Sequence, residues 1–261
     1  MNRIYMAALV SLSIFSSCDK EDDHQAHAGE YKGAEVMVHE GKAWSSVTLD
    51  DDGVPTAMTI SIDDAAMNSV PIGTGSGGGH QHDNSVILPF HDDVKSVTPF
   101  KYIGLDYNPD GHEPAAVYGL PHFDFHYYLM DNAERLAIPA YEADSAKFKA
   151  FPAPDYLPVN YAPIPGGVPQ MGTHWIDVTS PELAGQTFTQ TFIYGTYNNN
   201  VTFYEPMITL AYLKTAPVFS RSIPQPAKVK ESGYYPTEME VHKHLAQTDI
   251  TLKSFIYREA K

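Results

Sequence analysis

A chain of 261 residues with a formal net charge of −15 lacks the basic footprint that nucleic acid or an anionic membrane surface requires. Its 43% hydrophobic content excludes wholesale disorder. Twenty prolines and 18 glycines, set among β-branched and aromatic runs, favour strands and turns over long helices.

The chain opens on Met1-Asn2-Arg3, an apolar run over 4–15, and Ser16-Ser17-Cys18. One positive charge, a short apolar stretch and small residues at its end predict a secretory signal over 1–17, too short for a membrane span. The segment resembles a bacterial lipoprotein signal, in which Cys18 becomes the lipidated first residue of the mature protein. Asp19-Lys20-Glu21-Asp22-Asp23 is similar to the acidic export signal that sends lipoproteins to the outer surface in one group of Gram-negative bacteria; it reads equally as a solvated tether over 18–31. The resemblance implies an outer-membrane lipoprotein of the cell envelope, exposed at the surface. With the only cysteine acylated, any metal site must use His, carboxylate, carbonyl or water.

Residues 32–261 read as a single mainly β domain, an antiparallel sandwich or barrel with short helices and long Pro-rich loops. Runs at 33–39, 42–49 and 54–62 predict an antiparallel meander, followed by a turn or two of helix capped by Asp63. Gly73 to Gly79 contains GxGxxG but lacks a leading strand and a following helix, so a loop carrying His80 and His82 is expected rather than a dinucleotide site. Short strands follow at 86–90 and 100–107. The turn Asn108-Pro109-Asp110-Gly111-His112-Glu113-Pro114 brings two more potential ligands.

The segment Gly119-Leu120-Pro121-His122-Phe123-Asp124-Phe125-His126-Tyr127-Tyr128-Leu129 separates into two stripes when read as a strand. Phe123, Phe125, Tyr127 and Leu129 form an apolar side; His122, Asp124 and His126 form the other. On an extended strand His122 and His126 stand ~13 Å apart, so one ion binds both only if the strand is bulged. Otherwise one His pairs with Asp124, or Asp124 orients a His. The alternative is a solvent-facing polar stripe.

Residues 131–136 predict a short helix, and 139–170 an extended Pro- and Tyr-rich connection that runs over the surface or covers something. It ends at His174-Trp175, expected to line a pocket. Runs at 186–197 and 201–210 predict a hairpin around Asn198-Asn199-Asn200. In its second strand Glu205 stands in a mostly apolar row, where a carboxylate must be paired, protonated or bound to a cation. An edge strand with Glu205 in solvent is the other reading. Runs at 239–245 and 250–255 predict edge strands or a closing hairpin, with His242 and His244 exposed.

Gly111-His112-Glu113-Pro114, Pro121-His122-Phe123-Asp124-Phe125-His126-Tyr127, Met171-Gly172-Thr173-His174-Trp175 and Phe203-Tyr204-Glu205-Pro206-Met207-Ile208-Thr209 resemble the marker segments of an uncharacterised bacterial secreted-protein family, similar to a Thermus-type secreted protein, over roughly residues 95–256. The resemblance supplies no activity, but implies that these segments belong to one site within 108–210. The His174 segment and the paired histidines also look faintly like cupins, barrels holding one metal with three His and one Glu, although the interval between His122 and His126 is longer here. The expected ligands are His122, His126, His174 and Glu205, with His112 accessory, on a divalent ion: zinc first, then copper, manganese or iron. Asp124 or Glu113 is the expected base of a hydrolase or lyase acting on a small polar substrate. The alternatives are a non-catalytic metal- or ligand-binding surface lipoprotein, and a metal-free stripe forming a homo-oligomer or carbohydrate contact.

Overall fold

The computed structural model describes residues 26–74, 84–215 and 218–261. The signal segment, Cys18 and the part of the glycine-rich loop with His80 and His82 lie outside the described residues. Among the described residues sixteen strands run β1 (Gly29–Lys32), β2 (Val36–Val38), β3 (Gly41–Leu49), β4 (Pro55–Asp63), β5 (Ser85–Leu88), β6 (Tyr102–Asn108), β7 (His122–Tyr128) and β8 (Tyr161–Pro163). They continue with β9 (Thr173–Asp177), β10 (Gln190–Tyr197), β11 (Asn200–Thr209), β12 (Val218–Ser222), β13 (Gly233–Tyr235), β14 (Glu238–Lys243), β15 (Gln247–Lys253) and β16 (Ile256–Arg258). Five short helices intervene: α1 (Asp64–Ser69), α2 (Ala115–Tyr118), α3 (Asn132–Leu136), α4 (Ser145–Phe148) and α5 (Leu210–Thr215).

Two seven-stranded antiparallel sheets make a β-sandwich, with β13 and β16 as a separate pair. The first sheet has the order β1-β3-β4-β15-β14-β12, with β2 also on β3; the second has the order β5-β6-β7-β11-β10-β9-β8. Of the two expected architectures, the sandwich is the one formed. Met58, Ile60, Ile250 and Leu252 of the first sheet share one core with Leu105, Phe123, Phe125 and Ile208 of the second. Period-2 alternation of apolar residues places them there.

Local chemistry accounts for the connections. Asp63 caps α1 by accepting from the Ala66 amide at 2.7 Å. Asn198 and Asn199 take φ of 48° and 64°, the left-handed pair that closes a two-residue hairpin between β10 and β11. One expectation changes: Gly29, Glu30 and Tyr31, expected in the tether, form β1 with Lys32 and pair with Ser46–Leu49 of β3. The C-terminal runs form the expected closing hairpin, β14 with β15, and β15 also hydrogen-bonds β4.

Candidate metal centre

Every residue of β7 is buried, on both faces. Phe123, Phe125 and Tyr127 enter the inter-sheet core, so His122, Asp124 and His126 project from the outer face of the second sheet, which is itself covered. The polar stripe is therefore not solvated. On one flank, β6 sets Asn108 opposite His122, Asp106 opposite Asp124 and Gly104 opposite His126. On the other, β11 sets Met207 opposite Asp124 and carries Glu205, which pairs with Ile193 of β10. One strand further, His174 of β9 lies opposite Gly195. His112 arrives from the turn after β6, where Gly111 at φ 67° brings the backbone against Tyr118 O; a Cβ there would sit 2.2 Å from that oxygen.

These residues form two buried triads that could hold a metal ion: His112, His122 and Asp124 in one, His126, His174 and Glu205 in the other. His122, Asp124, His126 and Glu205 are 0% exposed, His112 4% and His174 6%. In the first triad, His122 Nε2 stands 3.1 Å from Asp124 Oδ1 and His112 Nε2 3.5 Å from Asp124 Oδ2. In the second, Glu205 Oε2 lies 3.4 Å from His126 Nε2 and 3.8 Å from His174 Nε2.

Outer contacts decide which ring nitrogen faces inward. His112 Nδ1 is 2.9 Å from Glu113 O, His122 Nδ1 2.6 Å from Leu120 O, and His126 Nδ1 2.8 Å from Asp106 Oδ2. Carbonyl oxygens only accept, so Nδ1 of His112 and of His122 donates and Nε2 of each turns toward Asp124, while His126 Nδ1 makes a close ion-pair contact with Asp106 and its Nε2 faces Glu205. Lone pair facing lone pair at this range is repulsive unless a cation or a shared proton lies between. Metal-bound histidines are oriented by outer acceptors in this way. Among the described residues, His122 Nε2, His126 Nε2 and both Glu205 oxygens have no hydrogen-bond partner.

The metal-free electrostatics reflect the same crowding. Burial opposes the charged form of His126, but Glu205 and then Asp106 outweigh it and raise its pKa to about 9. Burial raises Glu205 to about 8, against the pull of His126. His174 falls to about 3 through burial, with His126 and His112 adding repulsion. Burial opposes ionisation of Asp124 as well, yet His122 and His112 hold its carboxyl well below the usual range. Asp124 stands among the candidate ligands, with Asn108 Nδ2 donating to its Oδ2 at 2.7 Å.

A cavity of about 540 Å³ opens onto the centre through His112 and His174. Ile164, Pro165, Val168, Pro169, Tyr118 and Ile193 form much of its wall, so the Pro-rich connection does cover something. Glu113 also lines the cavity; its carboxylate accepts from the Ala115 amide at 2.9 Å at the start of α2. Trp175 faces away from His174, its Nε1 donating to Thr196 Oγ1 at 2.8 Å. Exposed His27, His242 and His244 take no part in either triad.

Sequence reasoning grouped the expected ligands in one site; the structure divides them between two triads, with His122 and His126 on different sides of the division. It missed Asp106 and Asn108, whose only signal is their place in a strand that pairs with β7. No family model, curated protein or solved structure matches the chain.

Proposed function

We propose that this protein is an extracytoplasmic lipoprotein, anchored through Cys18, whose His/carboxylate centre holds a divalent transition metal for hydrolase or lyase chemistry on a small substrate. The observation that carries the metal is the orientation of His112, His122 and His126: each Nδ1 stands within 2.9 Å of an oxygen while its Nε2 turns to a buried carboxylate. Imidazole and carboxylate donors suit zinc best among the available divalent ions, with copper, manganese and iron next. The secreted-protein resemblance is part of the proposal, since its four segments supply these donors.

The cavity beside His112 and His174 favours an enzyme, because a catalytic metal keeps a position open to substrate. Among the described residues no lysine or arginine lines it, which favours an uncharged or cationic substrate over a phosphate or carboxylate. Bound metal would act as Lewis acid and water activator. Glu113, at the cavity wall, is then the side chain placed to move a proton, while Asp106 and Asn108 orient His126 and Asp124. A non-catalytic metal carrier is the second reading, favoured by the complete burial of His126 and Glu205.

Elemental analysis of untagged wild-type protein tests the metal. Stoichiometric zinc or another transition ion is expected, and a His122→Ala/His174→Ala double variant should lose it. Wild type with no bound ion, or an unchanged content in the variant, defeats the reading.

A further inference from the structure

One cavity touches both triads, through His112 of the first and His174 of the second. We infer that the centre is dinuclear, with one divalent ion in His112/His122/Asp124, a second in His126/His174/Glu205, and a single small ligand in the cavity facing both. This rests on the metal-binding reading above and extends it to the number of ions and to how a substrate meets them.

Ligand geometry is the first support. At bond lengths of about 2.0–2.2 Å, two donors on one ion can stand no more than about 4.4 Å apart. The six donors resolve into two sets of three, each with its ligand atoms within 4.8 Å of one another. The register of β7 against β6 runs without a shift from Tyr128 to His122. No bulge bends the strand there to bring His122 and His126 onto one ion, and a regular strand keeps them ~13 Å apart. Asp124, between them, belongs with His122.

Charge is the second support. Asp106, Asp124 and Glu205 bring three carboxylates into a region where their exposure is 7%, 0% and 0%. A single divalent ion serves one triad and leaves the carboxylate of the other to a proton or an imidazolium, which a second ion would replace. Two ions supply four positive charges against three negative, leaving room for one anionic oxygen, either a hydroxide or a substrate oxygen. Glu205, with neither oxygen hydrogen-bonded, is where the compensation is most needed.

The third is access. Two histidines and one carboxylate leave each ion at least one position to fill, and His112 and His174 place that side of both triads on the same cavity. With no lysine or arginine on the wall among the described residues, the ligand class is a small ester or amide with an apolar body, held by its oxygens rather than by a charged tail.

The test uses full-length, untagged, chelator-treated protein carrying His242→Ala/His244→Ala, because that exposed pair has ring centroids only 4.1 Å apart and would bind ions adventitiously. Titration with Co²⁺ alone is followed by visible absorption, and bound ions are counted after gel filtration. Two ions per chain are expected, falling to one in His122→Gln and to one in His126→Gln. Saturation at a single ion, or both folded single variants binding none, overturns the dinuclear centre and leaves a one-metal site intact. No bound ion at all defeats the metal reading itself. Should a variant fail to fold, the background titration alone decides between one equivalent and two.

Discussion

Asp106 Oδ2 lies 2.8 Å from His126 Nδ1, on the side of the ring away from Glu205. That contact aims Nε2 at the centre. Replacing Asp106 with Asn removes a charged acceptor without changing side-chain size. Metal affinity should fall about 10- to 100-fold, measured by competition with a chromogenic chelator, while the fold by circular dichroism is retained.

The metal-free protein should lose stability as pH rises above neutrality. His126, raised to about 9 from 6.5, contributes stability that is full below 6.5 and gone above 9. Glu205, raised to about 8 from 4.5, acts in the same direction: its protonated form is favoured in the fold, and that advantage is lost by pH 8. His174, lowered to about 3, stabilises fully above 6.5 and loses its contribution only in acid. Between pH 6.5 and 8 the first two therefore add while the third is flat, at up to about 1.4 kcal/mol per pH unit for each proton involved. Bound metal replaces those protons, so the rise in Tm on adding metal should grow from pH 6 to pH 9. Thermal melts with and without chelator check this; a metal-induced shift that shrinks with pH contradicts it.

Gly195 lies opposite His174 of the second triad. A Cβ there would sit 2.1 Å from the ring of Phe203, which packs edge-on against His126 at 4.8 Å and tilted on His174 at 5.3 Å. Gly195→Ala should cost about 1–3 kcal/mol by overpacking and weaken metal binding at His126/His174/Glu205 before it affects the other triad. Co²⁺ titration and thermal melting of the variant separate the two effects.

Cys18→Ser should move the protein from the membrane pellet to the soluble fraction of a Gram-negative expression host and abolish labelling by radioactive palmitate. A variant that still sediments and still incorporates label argues against the anchor.

The alternation through His122–Tyr128 was legible because a strand's two faces follow from parity alone, and the hairpin around Asn198 and Asn199 because its turn chemistry is local. Glu205 stood out as a carboxylate in an apolar row. What parity cannot supply is the neighbour. Asp106 lies 20 residues before His126 and looks like one more polar residue in an apolar strand until the β6–β7 register brings it alongside. The division of the ligands is equally invisible in sequence: it depends on Glu205 of β11 and His174 of β9, two strands beyond β11, meeting His126, while the His112 turn meets His122. Residues 29–31 read as tether because three residues beside an acidic run show no period; pairing with β3 makes them part of a strand.

The burial of β7 on both faces has a consequence for how the chain finds its fold. Shifting that strand by one residue against β6 would exchange its faces, driving Phe123 and Phe125 into the donor sets and His122, Asp124 and His126 into the inter-sheet core. No partial credit exists for the wrong alignment, since it loses the aromatic interior and the donor sets together. An ion captured at this centre binds only the correctly aligned sheet. It would therefore act as a latch on strand alignment, closing once β6, β7, β9 and β11 have all come into place.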